Sequence, residues 1–121
     1  RSGEDDPSQP QTLAIRKGDD IEWLRTRDIR WIGAAGNYVE VHALDRLHVV
    51  RGNIGSVETT LGPACFARVH RSALVNVDHV QGLRRRGRQW SVQLSDGTLV
   101  PVGRRRVAAV RARIRPDRNR L

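Results

Sequence analysis

Apolar and polar residues alternate with a period of two along most of this chain. Val39, Val41 and Ala43 alternate with Tyr38, Glu40 and His42, the pattern of a strand with one buried face. Similar short runs predict strands at Leu13–Arg16, Ile21–Leu24, Ile29–Ala34, Leu47–Arg51, Phe66–His70, Trp90–Leu94 and Thr98–Val102. Lys17–Asp20, Gly36-Asn37 and Asp45-Arg46 read as the turns between them. Asp96-Gly97 predicts a two-residue type I′ hairpin turn, because both residues tolerate positive φ, and Pro101 places the returning strand at a sheet edge. Two stretches carry helical spacing instead. Asn53 is suited to cap a helix in which Ile54, Val57 and Leu61 follow at i, i+3 and i+7, stopped by Gly62-Pro63. Val107, Val110 and Ile114 repeat that spacing near the end. Both helices are short, and Gly55 weakens the first by about 1 kcal/mol relative to alanine. The expected fold is mainly β and antiparallel, with one or two short helices.

At the chain ends the pattern stops. Residues 1–11, RSGEDDPSQPQ, are polar, contain Pro7 and Pro10, and read as a linker or disordered lead-in. Residues 116–121 read as a short basic tail, leaving 12–115 as the domain. A chain of 121 residues has room for one domain with one modest core. It opens on Arg1 and contains no methionine, which reads as a piece of something longer. No apolar run approaches the roughly 20 residues of a membrane helix, and no signal-peptide pattern is present. A single cysteine, Cys65, excludes an internal disulfide or a cysteine-cluster metal site and points to a reducing, cytoplasmic setting. It precedes Phe66 and reads as a small buried apolar residue.

Charge changes the picture. The net charge is +9, but it is not evenly spread. Residues 1–66 hold 8 basic and 10 acidic side chains; residues 67–121 hold 14 and 3. All basic residues but Lys17 are arginine. A basic half on an otherwise balanced chain suggests a polyanionic partner, and arginine can hold guanine edges or phosphates with two hydrogen bonds at once. Part of the arginine bias is also what a GC-rich genome would produce.

Catalysis finds little support. His42, His48, His70 and His79 show no metal-ligand spacing. His42 and His48 are placed to face each other across a hairpin, as structural pairs do. No G-x-S-x-G elbow and no phosphate-binding glycine loop occurs. The chain reads as a non-enzyme without cofactor or metal. Three basic segments carry the functional reading. Arg84-Arg85-Arg86-Gly87-Arg88 lies between strand runs and reads as an exposed turn that attracts phosphates. Arg104-Arg105-Arg106 stands at the start of the last helix, where positive charge opposes the helix dipole without a local acid to offset it. Phe66–Asn76, FARVHRSALVN, is the most distinctive segment: a polar corner that Ser72 and Asn76 side chains can stabilise, and that presents Arg71 outward.

That segment resembles the F-x-R-V-H-R-S-x-L-V-N signature of the LytTR family of bacterial DNA-binding domains. Ile29–Val41 resembles the family's I-x-Y-I-E-A-x-G-N-Y-V stretch, Ser95–Val102 its L-x-D-G-x-x-I-P-V hairpin, and Gly103–Arg106 the S-R-R run that follows. The likeness runs from about Leu13 to about Ile114. It implies small antiparallel sheets packed in an elongated β-sandwich, and DNA binding through loops rather than a recognition helix. By position it implies base contacts from Asn37, Arg71 and Arg104. Tyr38, His70, Arg84, Arg85, Arg86, Arg88, Arg105 and Arg106 are left to phosphates or support. It further implies the effector role in a two-component response regulator. The partners would be double-stranded DNA carrying a direct-repeat promoter site, a second protomer on it, and an upstream receiver or sensor module. Three residues depart from the pattern: Gly33 for glutamate, Gly103 for serine, and Ala73 for an aromatic beside Arg71. Two other classes compete. An RNA-binding module would share the charge but needs aromatic platforms, and most of Trp23, Trp31, Trp90, Tyr38 and Phe66 read as core. An anionic-surface interaction module would explain the charge but not the FARVHRSALVN corner.

Overall fold

A computed structural model describes residues 11–114. The strands are β1 (Thr12–Lys17), β2 (Asp20–Arg25), β3 (Ile29–Ala35), β4 (Tyr38–Ala43), β5 (Leu47–Arg51), β6 (Phe66–His70), β7 (Ala73–Asn76), β8 (Val80–Arg86), β9 (Gln89–Leu94) and β10 (Leu99–Pro101). Helix α1 (Ile54–Leu61) joins β5 to β6, and α2 (Val107–Ile114) follows β10. The strands form three antiparallel sheets: a β1-β2 hairpin, a central sheet in the order β5-β4-β3-β7-β6, and an outer sheet in the order β10-β9-β8. This is the mainly β, sheet-on-sheet arrangement with two short helices that the sequence predicted. The lead-in and basic tail lie outside the described residues, apart from Gln11, whose carbonyl accepts from the Thr26 amide at 2.9 Å.

The core is not single, as chain length alone suggested. The central sheet divides it in two. Ile29, Ile32, Val39, Val41, Phe66 and Leu74 face β1-β2 and α1, where they meet Leu13, Ile15, Leu24, Ile54 and Leu61. Ala67, Val69, Ala73 and Val75 face the outer sheet and α2, meeting Val92, Leu94, Val100, Val102 and Val110. Strand β7 is buried at all four positions, so it reads as ALVN without alternation. Cys65 is half-buried and packs against the first core. Each fully buried aliphatic side chain contributes roughly 1.5–3 kcal/mol. Polar anchors fix the sheet ends. Asn76, buried, donates to the Ile29 carbonyl at 3.0 Å and accepts from the Asp78 amide at 2.9 Å. Asn53 caps α1 by accepting from the Ser56 amide at 2.8 Å.

Several expectations need correction. Arg84–Arg88 is not a turn: Arg84–Arg86 complete β8, and only Gly87-Arg88 turns. The continuous RRR run hid a strand because exposed positions on both faces erase the period of two. At Asp96-Gly97 the turn is not type I′. Gly97 alone has positive φ (92°), its amide donates to Leu94, and the Leu94 amide reaches Thr98. The loop is therefore longer than two residues, with one left-handed position. His42 and His48 do not face each other either. Val41 pairs with His48 and His42 with Leu47, which puts the histidines on opposite faces. His48 is buried and accepts from the Lys17 ammonium at Nδ1 (3.2 Å), so its Nε2 proton points to Asp45 (3.3 Å). His42 stacks on Trp31 with ring centroids 4.2 Å apart, and its burial lowers its pKa below the usual imidazole value. Of the aromatics, Phe66 is buried and Trp31 and Trp90 pack against the second core, while Trp23 and Tyr38 are exposed.

The Trp31 stack also accounts for two of the sequence's departures. Trp31, Gly33 and Ala73 lie on one face of the central sheet, with Gly33 paired to Ala73. A Cβ on Gly33 would lie 2.8 Å from the Trp31 ring. Small residues at 33 and 73 therefore leave room for the large ring, which is held from its other side by His42. Gly33→Ala is expected to lower stability by about 1–3 kcal/mol in urea unfolding. The loss should largely vanish in a Trp31→Val background; an equal loss in both backgrounds would show that the ring is not the obstacle.

Candidate nucleic-acid interface

Strand direction decides which loops share an end of the molecule. In the central sheet, the β3-β4 turn, the β6-β7 turn and the exit of β5 all lie at one end. The β3-β4 connection is a two-residue turn, Gly36-Asn37. Gly36 has φ 63° and Asn37 has negative φ, as a type II′ turn has. Side chains are thereby freed at its tip, where Asn37 and Tyr38 are exposed. Backbone bonds tie this tip to its neighbours. The Ala34 amide donates to the Ser72 carbonyl (2.9 Å) and the Gly52 amide to the Asn37 carbonyl (3.0 Å). In the outer sheet, Pro101 pairs with Ser91 and the Val102 amide donates to Trp90. The β8-β9 tip, Gly87-Arg88, therefore points the same way as the end of β10. Finally, the Gly103 amide donates to the Val69 carbonyl at 2.8 Å, docking the start of the last helical segment onto β6.

The result is a basic end. Arg71 is exposed at the β6-β7 turn. Arg104–Arg106 form a single 3₁₀ turn leading into α2, rather than the first turn of the α-helix itself. His70, Arg71 and Arg104–Arg106 line one recess of about 610 Å³. The structure thus brings Arg71 and Arg104 together and places Asn37 on the neighbouring tip, outside that recess. Strand alternation separates the other arginine run. Arg84 and Arg86 join Gln89, Ser91 and Gln93 on the outer face of the three-stranded sheet, where Arg84 donates to Gln93. Arg85 pairs with Trp90 and lies 5.9 Å from its ring, and Arg111 of α2 stands 5.2 Å from the same ring. Arg88 is exposed at the tip.

One residue escaped the sequence reading. Arg51 ends β5 opposite Tyr38, and its guanidinium lies 5.7 Å from the tyrosine ring. The pairing puts a further exposed cation beside Asn37. Its only signal in the sequence was a polar end to a strand, shared by many surface residues.

Four aspartates lie at the opposite end: Asp28, Asp45, Asp78 and Asp96 occupy strand ends or turns away from Arg71. Glu22, within β2, reaches that end through Arg46, whereas Glu58 of α1 pairs with Arg68 of β6. The Thr98 amide lowers the Asp96 pKa, and a hydrogen bond from Lys17 lowers that of Glu22. Glu22 also meets Arg46 at 3.4 Å and Asp96 meets Arg30 at 3.7 Å, so the basic residues at that end are partly neutralised. The described residues contain no cluster of histidine, cysteine and carboxylate able to hold a metal. No helix among them is long and apolar enough to cross a membrane.

Comparison with known proteins follows the same lines. The chain is 30% identical over 107 residues to the CO-responsive transcriptional regulator RcoM of Rhodospirillum rubrum, covering 87% of this chain and 45% of that protein. It is 29% identical over 93 residues to the sensory transduction protein LytT of Bacillus subtilis, covering 76% of this chain and 39% of that one. The chain thus spans less than half the length of these curated relatives. Its fold matches a LytTr DNA-binding domain from Bacillus cereus with a TM-score of 0.74 at 19% identity, over 85% of this chain and 95% of that one. A family model for the LytTr DNA-binding domain matches residues 19–115, and the chain belongs to that family.

Proposed function

We propose that this chain is the sequence-specific, double-stranded DNA-binding effector domain of a bacterial transcription regulator. The observation that carries the proposal is the convergence of Arg71 and Arg104 on one recess, beside the Asn37 tip, at the end opposite Asp28, Asp45, Asp78 and Asp96. Arg71 and Arg104 donate bidentate hydrogen bonds to guanine O6 and N7 or to phosphate, and Asn37 reads an adjacent base edge. Arg86, Arg88 and Arg105, exposed nearby, neutralise phosphates, and Arg51 joins them from β5. Adjacent strands are about 4.8 Å apart, so the row from the Asn37 tip to Gly103 is on the order of 15–20 Å long. That exceeds the roughly 12 Å width of one major groove and supports loops that enter adjoining grooves. Two protomers on a direct-repeat site, and an upstream receiver or sensor module, complete the reading. RcoM and LytT, each more than twice the length of the matched region, support the second point.

Selection from a random duplex library at near-physiological salt tests this reading. The expected result is an enriched motif repeated at about one helical turn. Retention without any motif, fading as salt rises, would mean that the arginines supply electrostatic affinity alone. Preference for single-stranded RNA over the enriched duplex would move the chain to a different class. On the enriched duplex, Arg71→Ala and Arg104→Ala should each cost about 1–3 kcal/mol and relax preference at one position. Full affinity and selectivity in Arg71→Ala would remove that residue from the interface. Arg86→Ala should weaken all duplexes alike and make the salt dependence shallower by about one unit of slope. A loss confined to the enriched duplex would instead make Arg86 a base reader.

A further inference from the structure

Arg68, in the basic half, does not face outward. Its side chain is 17% exposed and lies between β6, where it stands, and α1. Each of its three guanidinium nitrogens donates to a specific acceptor. Nε donates to the His70 carbonyl at 2.9 Å, one terminal nitrogen to the Arg71 carbonyl at 2.5 Å, and the other to Glu58 of α1 at 2.5 Å. The two carbonyls belong to the corner that carries Arg71. That corner needs fixing, because β6 bulges there: Val69 and His70 together oppose Ala73, so the ladder leaves it irregular. A second lock lies within the corner itself, where Ser72 donates its amide to His70 Nδ1 at 3.2 Å and its hydroxyl stands 2.9 Å from the same nitrogen.

We infer that Arg68, held by Glu58, is a positioning residue for Arg71: it sets the direction in which the corner presents that side chain to the base edge. This rests on the DNA-reading function proposed above. The physical argument is one of rigidity. An exposed arginine on an unsupported bulge loses conformational freedom on binding, and a long side chain must be held closely to discriminate between base edges. A planar guanidinium is the group suited to this task, since three acceptors in a fork lie within its plane and a lysine ammonium cannot match them. Glu58 completes the clamp from outside the strand pair. The conformation of a reading loop thus depends on α1, an element that itself presents no arginine to the basic end.

The test uses Arg68→Lys, which keeps the charge, and Glu58→Gln, which keeps the shape of a half-exposed side chain. Affinities are measured for the duplex enriched by selection and for a scrambled duplex of equal length and composition. Arg68→Lys should lower the ratio of the two affinities by about tenfold, the scale of one charge-assisted hydrogen bond. Its affinity for the scrambled duplex and its salt slope should stay as in the wild type. Glu58→Gln should lower the ratio by a smaller factor in the same sense. In the Arg71→Ala background, Arg68→Lys should cost nothing further, because the side chain it positions is gone. Equal losses on both duplexes, additivity with Arg71→Ala, or an unchanged ratio would each overturn the clamp. A wild-type protein that does not distinguish the two duplexes would overturn the DNA-reading function first, and the clamp with it.

Discussion

Strand β7 is the constraint on which the basic end depends. Its four residues, Ala73–Asn76, are all buried, and they pair with β3 on one side and β6 on the other. Leu74 and Val75 point into different cores. A slip of one residue would therefore exchange the two cores, which the packing on both faces forbids. Because that register is fixed, the turn entering β7 and the turn leaving β3 stand side by side, bonded through Ala34 and Ser72. Asn76 closes the other end of the strand through three side-chain bonds to backbone. The positions of Asn37 and Arg71 relative to one another are consequences of this pairing, not of loop conformation alone.

A second consequence of the topology is the separation of charge. Antiparallel sheets send alternate connections to opposite ends, and here the arginine-rich connections fall at one end and Asp28, Asp45, Asp78 and Asp96 at the other. Pairing at the acidic end is extensive: Lys17, Glu22 and Arg46 form one chain of contacts, Arg30 and Asp96 another. Such exposed pairs add little stability, about 0–1 kcal/mol each. Their effect is on the field. Lys17, Arg30 and Arg46 at the acidic end are screened by their partners, whereas Arg51, Arg71 and Arg104–Arg106 stand at the basic end with no ion pair among the described residues. An oriented field of this kind turns the domain toward a polyanion before contact and concentrates the attraction on the loops.

Much of this was legible in the sequence, and the reasons are local. Strands with one buried face, such as β4, show the alternation that a half-exposed pleat requires, and Asn53 and Gly62-Pro63 bracket α1 by capping chemistry. Strand β7 was not legible as a strand, because burial on both faces removes alternation; nor was β8, because arginines occupy both of its faces near the tip. The Arg71 corner was visible through its resemblance to a family signature. Its support was not: Glu58 and Arg68 are ten positions apart, and nothing in the intervening sequence says that α1 folds back over that face of β6. Arg51 was hidden for the same reason, since its place beside Asn37 comes from the β4-β5 register.

The residues that depart from the family's pattern show how the fold tolerates change near the Arg71 corner. Trp31 brings a larger ring onto the sheet face that Gly33 and Ala73 leave open, and His42 stacks against it. The small residues at 33 and 73 make room for the larger ring at 31, the kind of compensation a close-packed interior accepts. Ala73 begins β7 directly after the corner, so a larger side chain there would press on Trp31 or move the Ser72–Ala34 bond. Because the corner is held instead by backbone bonds and by Arg68, it does not need an aromatic at position 73 to keep its shape. The Arg71 corner and the packing beneath it can therefore vary separately, so long as β7 keeps its register.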